Sequence, residues 1–351
     1  MKIVHCFFTM GMGGAQVLAV DLLNKMCAHH ETSLIIVNNV VSEAVLKNLN
    51  PKVAVYKIGR KEGSRNPWPL IKFNLLLRKL NPDIIHCHEP DFGRIIRAGV
   101  GKLIYTIHDT GIPTNYYNYY ETLVAISDAV QQDVTQRFDR PVKKVYNGVD
   151  TSAFKKRTVY SLTNEKIKFV QLSRLMHEKK GQDLLLEALH HIKSKYNYSN
   201  FTLDFVGIGP SMEYLKKLVV TLDLTSEVVF AGEKDRAWLA ANLAQYHLLI
   251  QPSRKEGFGL TVLEGFAAGL PVLASAIEGP AEIIGRTPRG FLFESGNSTQ
   301  CADMLYQIIQ DYENGKMEQL MNSSEPITDK EYSIDSCVKG YIKEYQELIS
   351  K

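Results

Sequence analysis

Several common structural devices are missing from this chain. Its five cysteines (Cys6, Cys27, Cys87, Cys301 and Cys337) are scattered without a C-x-x-C pair, which speaks against a disulfide framework or a cysteine-built zinc site. No apolar run is long enough to span a bilayer, and the short apolar start from Ile3 to Phe8 runs into glycines rather than a cleavage site. A cytosolic protein is therefore expected. No Asp-x-Asp pair occurs anywhere, so a short carboxylate clip for a divalent cation is absent, and no metal or other cofactor is expected. A net charge of +3 is too mild to point to nucleic acid. Two glycine loops follow strands, yet neither completes G-x-G-x-x-G. Gln16 holds the third glycine's place counting from Gly11, and Met212 holds it counting from Gly207, which disfavours a dinucleotide cofactor.

Hydrophobic residues make up 45% of 351, ample for two cores and too long a chain for one. Short β-rich runs alternate with helical patterns throughout, the signature of parallel sheets with crossover helices. One series runs from a strand at Lys2 to Phe8 to another at Val142 to Tyr146 and closes at the turn Asn147-Gly148-Val149-Asp150. A second begins after the polar stretch Lys155 to Lys166 and ends with a strand at Gly290 to Phe293. The expected architecture is α/β, with two Rossmann-like doubly wound domains, 1–150 and 151–333, facing across a central cleft where such folds bind ligands. The last helical stretch, within 334–351, is expected to pack back on the first domain.

The most informative segment is Lys255 to Ser275, KEGFGLTVLEGFAAGLPVLAS. Gly257 and Gly259 let the backbone approach a ligand closely, and the helix-prone run that starts at Leu260 and Thr261 turns its free N–H groups toward an anion. A pyrophosphate fits there. Glu264 falls one turn into this helix, where a carboxylate can accept two hydrogen bonds from a ribose diol, while Glu256 stays in the loop beside whatever the phosphates carry. These parts suit a bound sugar nucleotide. The competing reading, a glycine-rich turn before an ordinary amphipathic helix, is weakened by the glycines and by the Gly269-Leu270-Pro271-Val272 stop.

The ordered set Gly11-Met12-Gly13-Gly14, His108-Asp109, Asn147-Gly148-Val149-Asp150, Ser173-Arg174-Leu175 with Lys180-Gly181, Gly207-Ile208-Gly209-Pro210 and the Glu256/Glu264 pair resembles the retaining glycosyltransferases of family 4, which have the two-domain GT-B fold. The resemblance runs along nearly the whole chain and says little about which sugars are used. It implies a nucleotide-sugar donor, UDP-sugar favoured, and a glycan or glycolipid acceptor, as in bacterial lipopolysaccharide or other surface-glycan synthesis. It also implies that His108 contacts the transferred sugar, and that Glu256 with the backbone of Gly257 and Phe258 holds sugar hydroxyls. Transfer expels a nucleoside diphosphate whose charge must be neutralised. Arg174 and Lys180, in the loop at the carboxyl end of the strand Lys168 to Leu172, can take that role in place of a metal. Gly13 and Gly14 open a helix aimed at the same phosphates, and Gly207 and Gly209 line the nucleotide pocket. The resemblance also implies retention by front-face attack, which needs no enzyme nucleophile, so positioning and charge stabilisation would carry the catalysis. His5, His86 and His88 are read as strand-end or core residues.

The acceptor side is less legible. Leu70 to Leu80 is apolar with basic punctuation, which fits a buried helix with snorkelling lysines and a membrane-surface patch equally well. The basic group from Arg60 to Lys79 is the candidate for peripheral contact with an anionic membrane at its inner face. Tyr116-Tyr117-Asn118-Tyr119-Tyr120 is either a stacking platform for an acceptor sugar or loop packing. A non-hydrolysing sugar-nucleotide epimerase and a non-catalytic sugar-nucleotide-binding protein share the expected shape and stay open as alternatives.

Overall fold

Near-continuous apolar runs such as Leu34 to Val37 form strands buried on both faces, as parallel sheets covered by helices require. The computed structural model describes residues 1–350 apart from Met12, Ala98, Thr163, Asn164, Pro326 and Lys330. Met12 of the first glycine loop and Lys351 therefore lie outside the described residues. Two compact units are present. One comprises Met1–Gly148 with Tyr332–Lys351 and the other Val149–Glu331, so the breaks fall two residues before 150 and 333.

Unit 1 runs β1 (Lys2–Phe7), α1 (Gly14–Met26), β2 (Glu31–Asn38), α2 (Glu43–Leu46), β3 (Ala54–Arg60), α3 (Trp68–Leu80), β4 (Ile84–Cys87), α4 (Phe92–Ile95), β5 (Lys102–Ile107), β6 (Thr122–Ala125), α5 (Asp128–Arg137) and β7 (Val142–Lys144). Its parallel sheet has the order β3-β2-β1-β4-β5-β6-β7. Unit 2 runs β8 (Ile167–Leu172), α6 (His177–Lys180), α7 (Gln182–Tyr196), β9 (Phe201–Val206), α8 (Met212–Thr221), β10 (Val228–Gly232), α9 (Arg236–Asn242), β11 (Leu248–Gln251), α10 (Leu260–Ala267), β12 (Val272–Ser275), α11 (Glu278–Ile284), β13 (Gly290–Phe293), α12 (Ser298–Glu313) and α13 (Lys316–Ser323). Its parallel sheet has the order β10-β9-β8-β11-β12-β13. Both sheets are doubly wound in the Rossmann manner.

The chain then returns to unit 1 as α14 (Ile334–Ile349), which packs on α1. Ser333 caps it by accepting the Ser336 N–H at 3.2 Å, which meets one of the orphan donors of the first turn. The approach to unit 1 is close: a Cβ on Gly148 would lie 2.3 Å from Ser333 O. The buried face of α14 carries Ile334, Cys337, Tyr341, Tyr345 and Leu348, a helical period that brings two phenols into the core of unit 1.

Candidate functional site

Winding reverses between β1 and β4 in unit 1 and between β8 and β11 in unit 2. In doubly wound sheets ligands bind outside the carboxyl ends of the strands at such switch points. The polar residues singled out from the sequence gather at these edges, each within its own unit.

In unit 2, β8 leads into Arg174 and α6, and β11 leads into Glu256. Lys180 Nζ lies 2.6 Å from Glu256 Oε2, with the two side chains 20% and 19% exposed. Gln251, which the sequence did not suggest, donates from Nε2 to the same carboxylate oxygen at 3.0 Å. Its Oε1 accepts from the Thr261 hydroxyl at 2.6 Å. One network thus joins α6, the end of β11, the following loop and the first turn of α10. The expectation had Lys180 and Glu256 serving phosphate and sugar separately; here they face each other. Glu256 occupies one of the three donors of the ammonium, and the others remain for ligand oxygens. Arg174 is exposed and forms no ion pair among the described residues. Its carbonyl accepts from Gln182 Nε2 at 3.2 Å, which holds the loop. Arg254, also missed from the sequence, clamps Asp183 with two bonds of 2.7 and 3.1 Å and donates to His177 O at 2.7 Å, fixing α6 against α7.

The glycines divide into two jobs. Gly259 caps α10 at φ 102, in the left-handed region that favours glycine. Gly207, at φ 140, and Gly209 would place a Cβ 2.0 Å from Ser173 O and 2.3 Å from Leu175 O. They let the loop after β9 lie on the loop after β8. Phe258 is buried at 3% exposure, its backbone pressed against Gly279, so its ring is not offered to a ligand. Leu260 opens α10, Glu264 lies one turn further, half-buried, and Gly257 sits in the loop before it.

In unit 1, Gly13 caps α1 and Gly14 is its first residue. His108 directly follows β5, half-buried, with its Nε2 3.0 Å from His88 Nδ1. His5 and His86 are fully buried and His88 is 6% exposed, as expected of core histidines. Yet they form a bonded group with His108, a link the sequence does not show. Donor atoms of His5, His86 and His88 come within 4.8 Å of one another, close enough to suggest a metal site. All six of their ring nitrogens are already engaged in hydrogen bonds, however. Burial holds His5 down to about 3 and His108 to about 4, and keeps His86 and His88 well below their usual range, with repulsion from neighbouring rings a lesser cause for the last two. Glu89 is a further missed group. Both of its oxygens accept the Phe8 N–H at 3.3 Å, and burial pushes its carboxyl up to about 8. A signal existed in His86-Cys87-His88-Glu89-Pro90, a polar cluster at the end of an apolar strand.

The tyrosine run is mostly loop packing. Tyr117 and Tyr120 are buried, and the Tyr120 hydroxyl receives the Gly93 N–H at 2.8 Å; Tyr119 is 55% exposed. The basic group after β3 is partly committed: Arg60 donates to Asn38 Oδ1 and Ser64 O, and Lys57 pairs with Glu43. Helix α3 is not a buried helix, since only Phe73 and Leu77 are shielded and Trp68, Ile71 and Leu75 are exposed.

Two doubly wound units, each carrying a glycine loop and polar groups at its switch point, define a protein of the GT-B class. Two family models account for most of the chain: Glycosyltransferase Family 4 matches residues 12–153 and Glycosyl transferases group 1 matches residues 153–324. The chain belongs among the GT-B glycosyltransferases of the family 4 type. It is 23% identical over 336 residues to an uncharacterized glycosyltransferase of Methanocaldococcus jannaschii, covering 91% of this chain and 87% of that protein. It is 29% identical over 260 residues to N-acetyl-alpha-D-glucosaminyl L-malate synthase of Bacillus anthracis, covering 66% and 67%. The Anabaena HepE structure in complex with UDP and glucose shares the fold at a TM-score of 0.81 and 20% identity, covering 99% of this chain and 100% of that one.

Proposed function

We propose that this glycosyltransferase moves a sugar from a nucleoside-diphosphate sugar, a UDP-sugar being favoured, to a glycan or glycolipid acceptor with retention of configuration and without a metal ion. The observation that carries the reading is the Lys180–Glu256–Gln251–Thr261 network beside the Gly259 cap of α10. It sets a cation, a carboxylate and a helix N-terminus at one switch point, the combination that a leaving diphosphate and the hydroxyls of its sugar require. In this reading Lys180 and Arg174 offset the charge that develops on the diphosphate, Glu256 orients Lys180 and holds a sugar hydroxyl, and Glu264 holds the ribose. His108 contacts the transferred sugar. The UDP seen with Anabaena HepE supports the choice of base. The test is a panel of UDP-, GDP- and other nucleotide sugars screened by thermal shift, then turnover with the stabilising donor. A matching donor raises stability by RT ln(1 + [L]/Kd). No stabilisation by any donor overturns the reading, and a β-linked product from an α-linked donor, seen by proton NMR, overturns retention. A product that is an epimerised nucleotide sugar, formed without acceptor, selects the epimerase alternative.

The acceptor is proposed to be carried on an anionic lipid surface, in surface-polysaccharide synthesis of the lipopolysaccharide type at the cytoplasmic face of a membrane. A groove of about 410 Å³ on unit 1 is lined by Arg78, Arg94 and Arg97 with Leu70, Ile71 and Leu75, and Trp68 at the start of the same helix is 70% exposed. Each basic residue at such a surface contributes roughly 1 kcal/mol, screened by salt. Co-sedimentation with anionic vesicles that fades in high salt, and that is lost when Arg78, Arg94 and Arg97 become glutamine, is expected. Equal partitioning of both proteins favours a soluble acceptor.

A further inference from the structure

Unit 1 contains an unbroken hydrogen-bond chain from the C-terminal helix to His108. Tyr341 OH lies 3.0 Å from Thr106 Oγ1, which lies 2.7 Å from His86 Nε2. His86 Nδ1 lies 2.6 Å from Tyr345 OH, which lies 3.4 Å from His5 Nε2. His5 Nδ1 lies 3.1 Å from His88 Nε2, and His88 Nδ1 lies 3.0 Å from His108 Nε2. The members come from β1, β4, β5 and α14 and from the residues just beyond β4 and β5. All are buried except His108, which is partly buried at the carboxyl edge of the sheet.

A neutral imidazole has one N–H and one lone pair, and a hydroxyl within such a chain gives one proton to one neighbour while accepting from the other. Each member therefore passes on the direction of the one before it. A hydroxyl could also accept from both neighbours, but Thr106 and Tyr345 are fully buried and would then strand their own protons; two arrangements remain, and they differ at the ends. If protons point inward from His108, the Tyr341 oxygen accepts at the last link and its own O–H has no acceptor. Tyr341 is fully buried, and Thr106 is the hydrogen-bond partner of its hydroxyl among the described residues, so that arrangement strands a donor in a dry site. If protons point outward, every one is used: Tyr341 donates to Thr106, Thr106 to His86 Nε2, His86 Nδ1–H to Tyr345, Tyr345 to His5 Nε2, His5 Nδ1–H to His88 Nε2, and His88 Nδ1–H to His108 Nε2. At the other end His108 is only partly buried, so no comparable penalty opposes it.

We infer that α14, through this relay, fixes His108 as the neutral tautomer that carries its proton on Nδ1, with Nε2 held as an acceptor from His88. Thr106 and Tyr345 are then positioning residues. They set which nitrogen of His108 donates, and the ring offers an Nδ1–H to a ligand oxygen at the edge of the sheet. That the oxygen belongs to the transferred sugar rests on the proposed function; the tautomer itself does not. This arrangement also explains why two tyrosines of a helix distant in sequence are buried against histidines instead of aliphatic side chains.

The test is two-bond proton–nitrogen NMR of the full chain labelled with 15N-histidine, with the His108 signals assigned by their loss in His108→Gln. The native spectrum is expected to show His108 protonated on Nδ1. Thr106→Val and Tyr345→Phe each cut the relay while keeping shape, so His108 becomes a mixture of tautomers in both. Turnover number then falls severalfold, with nucleoside diphosphate affinity unchanged. Two variants are used so that failure of one to fold leaves the other. His108 protonated on Nε2 in the native chain, an unchanged Nδ1–H in both variants, or a zinc ion held by His5, His86 and His88 overturns the inference. A correct tautomer in a protein that turns over no nucleotide sugar keeps the relay and removes the proposed function.

Discussion

Mild acid probes the buried histidines of unit 1 without any ligand. His5, His86 and His88 are shielded from solvent, and burial keeps each neutral in the folded chain to well below 6.5. In the unfolded chain each returns to its ordinary value and takes up a proton as the pH falls. A base whose folded pKa is depressed supports the fold fully above about pH 6.5, and that support is lost on the way down to the folded value. Between about pH 6.5 and 5.5 each of these histidines withdraws about 1 kcal/mol, so the three withdraw roughly 3 kcal/mol. His108, held at about 4, pulls the same way. Glu89 pulls the other way. Its carboxyl, at about 8 in the fold, is protonated there and ionised in the unfolded chain across this window, so acidification returns about 1 kcal/mol. With His108 withdrawing about 1 kcal/mol as well, the net loss is about 3 kcal/mol, or roughly 6–12 °C in the melting of a unit of this size. Differential scanning calorimetry at the two pH values, with hydrogen exchange of β1 and β4 amides to assign the change to unit 1, measures it. Glu89→Gln has no proton to take up, so its acid loss is expected to be larger, near 4 kcal/mol by the same linkage. Unit 1 stability that is flat over this range, or a Gln variant less acid-sensitive than the native chain, refutes the reasoning.

Three further outcomes are expected. Lys180→Ala lowers kcat/KM by roughly tenfold to a hundredfold, since a charge-assisted hydrogen bond contributes about 1.5–3 kcal/mol; the native enzyme keeps its turnover in excess chelator, and activity that chelator abolishes and magnesium restores defeats the cationic reading. Glu264→Gln weakens nucleoside diphosphate binding by about tenfold or more on the same scale, measured by titration calorimetry, and unchanged affinity removes the ribose assignment. Gly259→Ala forces a side chain onto φ 102 with Pro280 Cγ at 3.3 Å, so unit 2 loses about 1–3 kcal/mol in denaturant unfolding; a variant as stable as the native chain contradicts the strained cap.

Local pattern was enough for much of this molecule. Most strands stand within a residue or two of where apolar runs place them, as at Lys102–Ile107 and Gly290–Phe293, because a parallel strand covered on both faces must be apolar at successive positions. The glycine cap of α10 was legible from Gly259 before Leu260 to Ala267, since a positive φ at a helix start leaves few other residue choices. The run Tyr116 to Tyr120 and helix α3 were ambiguous for the opposite reason. An alternation of apolar and polar side chains fits a buried or an exposed face until a neighbour covers it, and among the described residues Trp68, Ile71 and Leu75 stand exposed.

By itself, then, the sequence determined the α/β class, the two series of strands, the glycine loops and the polar residues at strand ends. These follow from period, burial and backbone freedom, which act over a few residues. Tertiary structure alone decided which distant groups meet. Strand order lays β8 beside β11 and so pairs Lys180 with Glu256, and it lays β1 beside β4 and so joins His5 to His88. The return of α14 to unit 1 brings Tyr345 onto His86. A side chain's chemistry is written where it stands, but its partner depends on the path of the chain between them, and that path is chosen by the packing of whole layers.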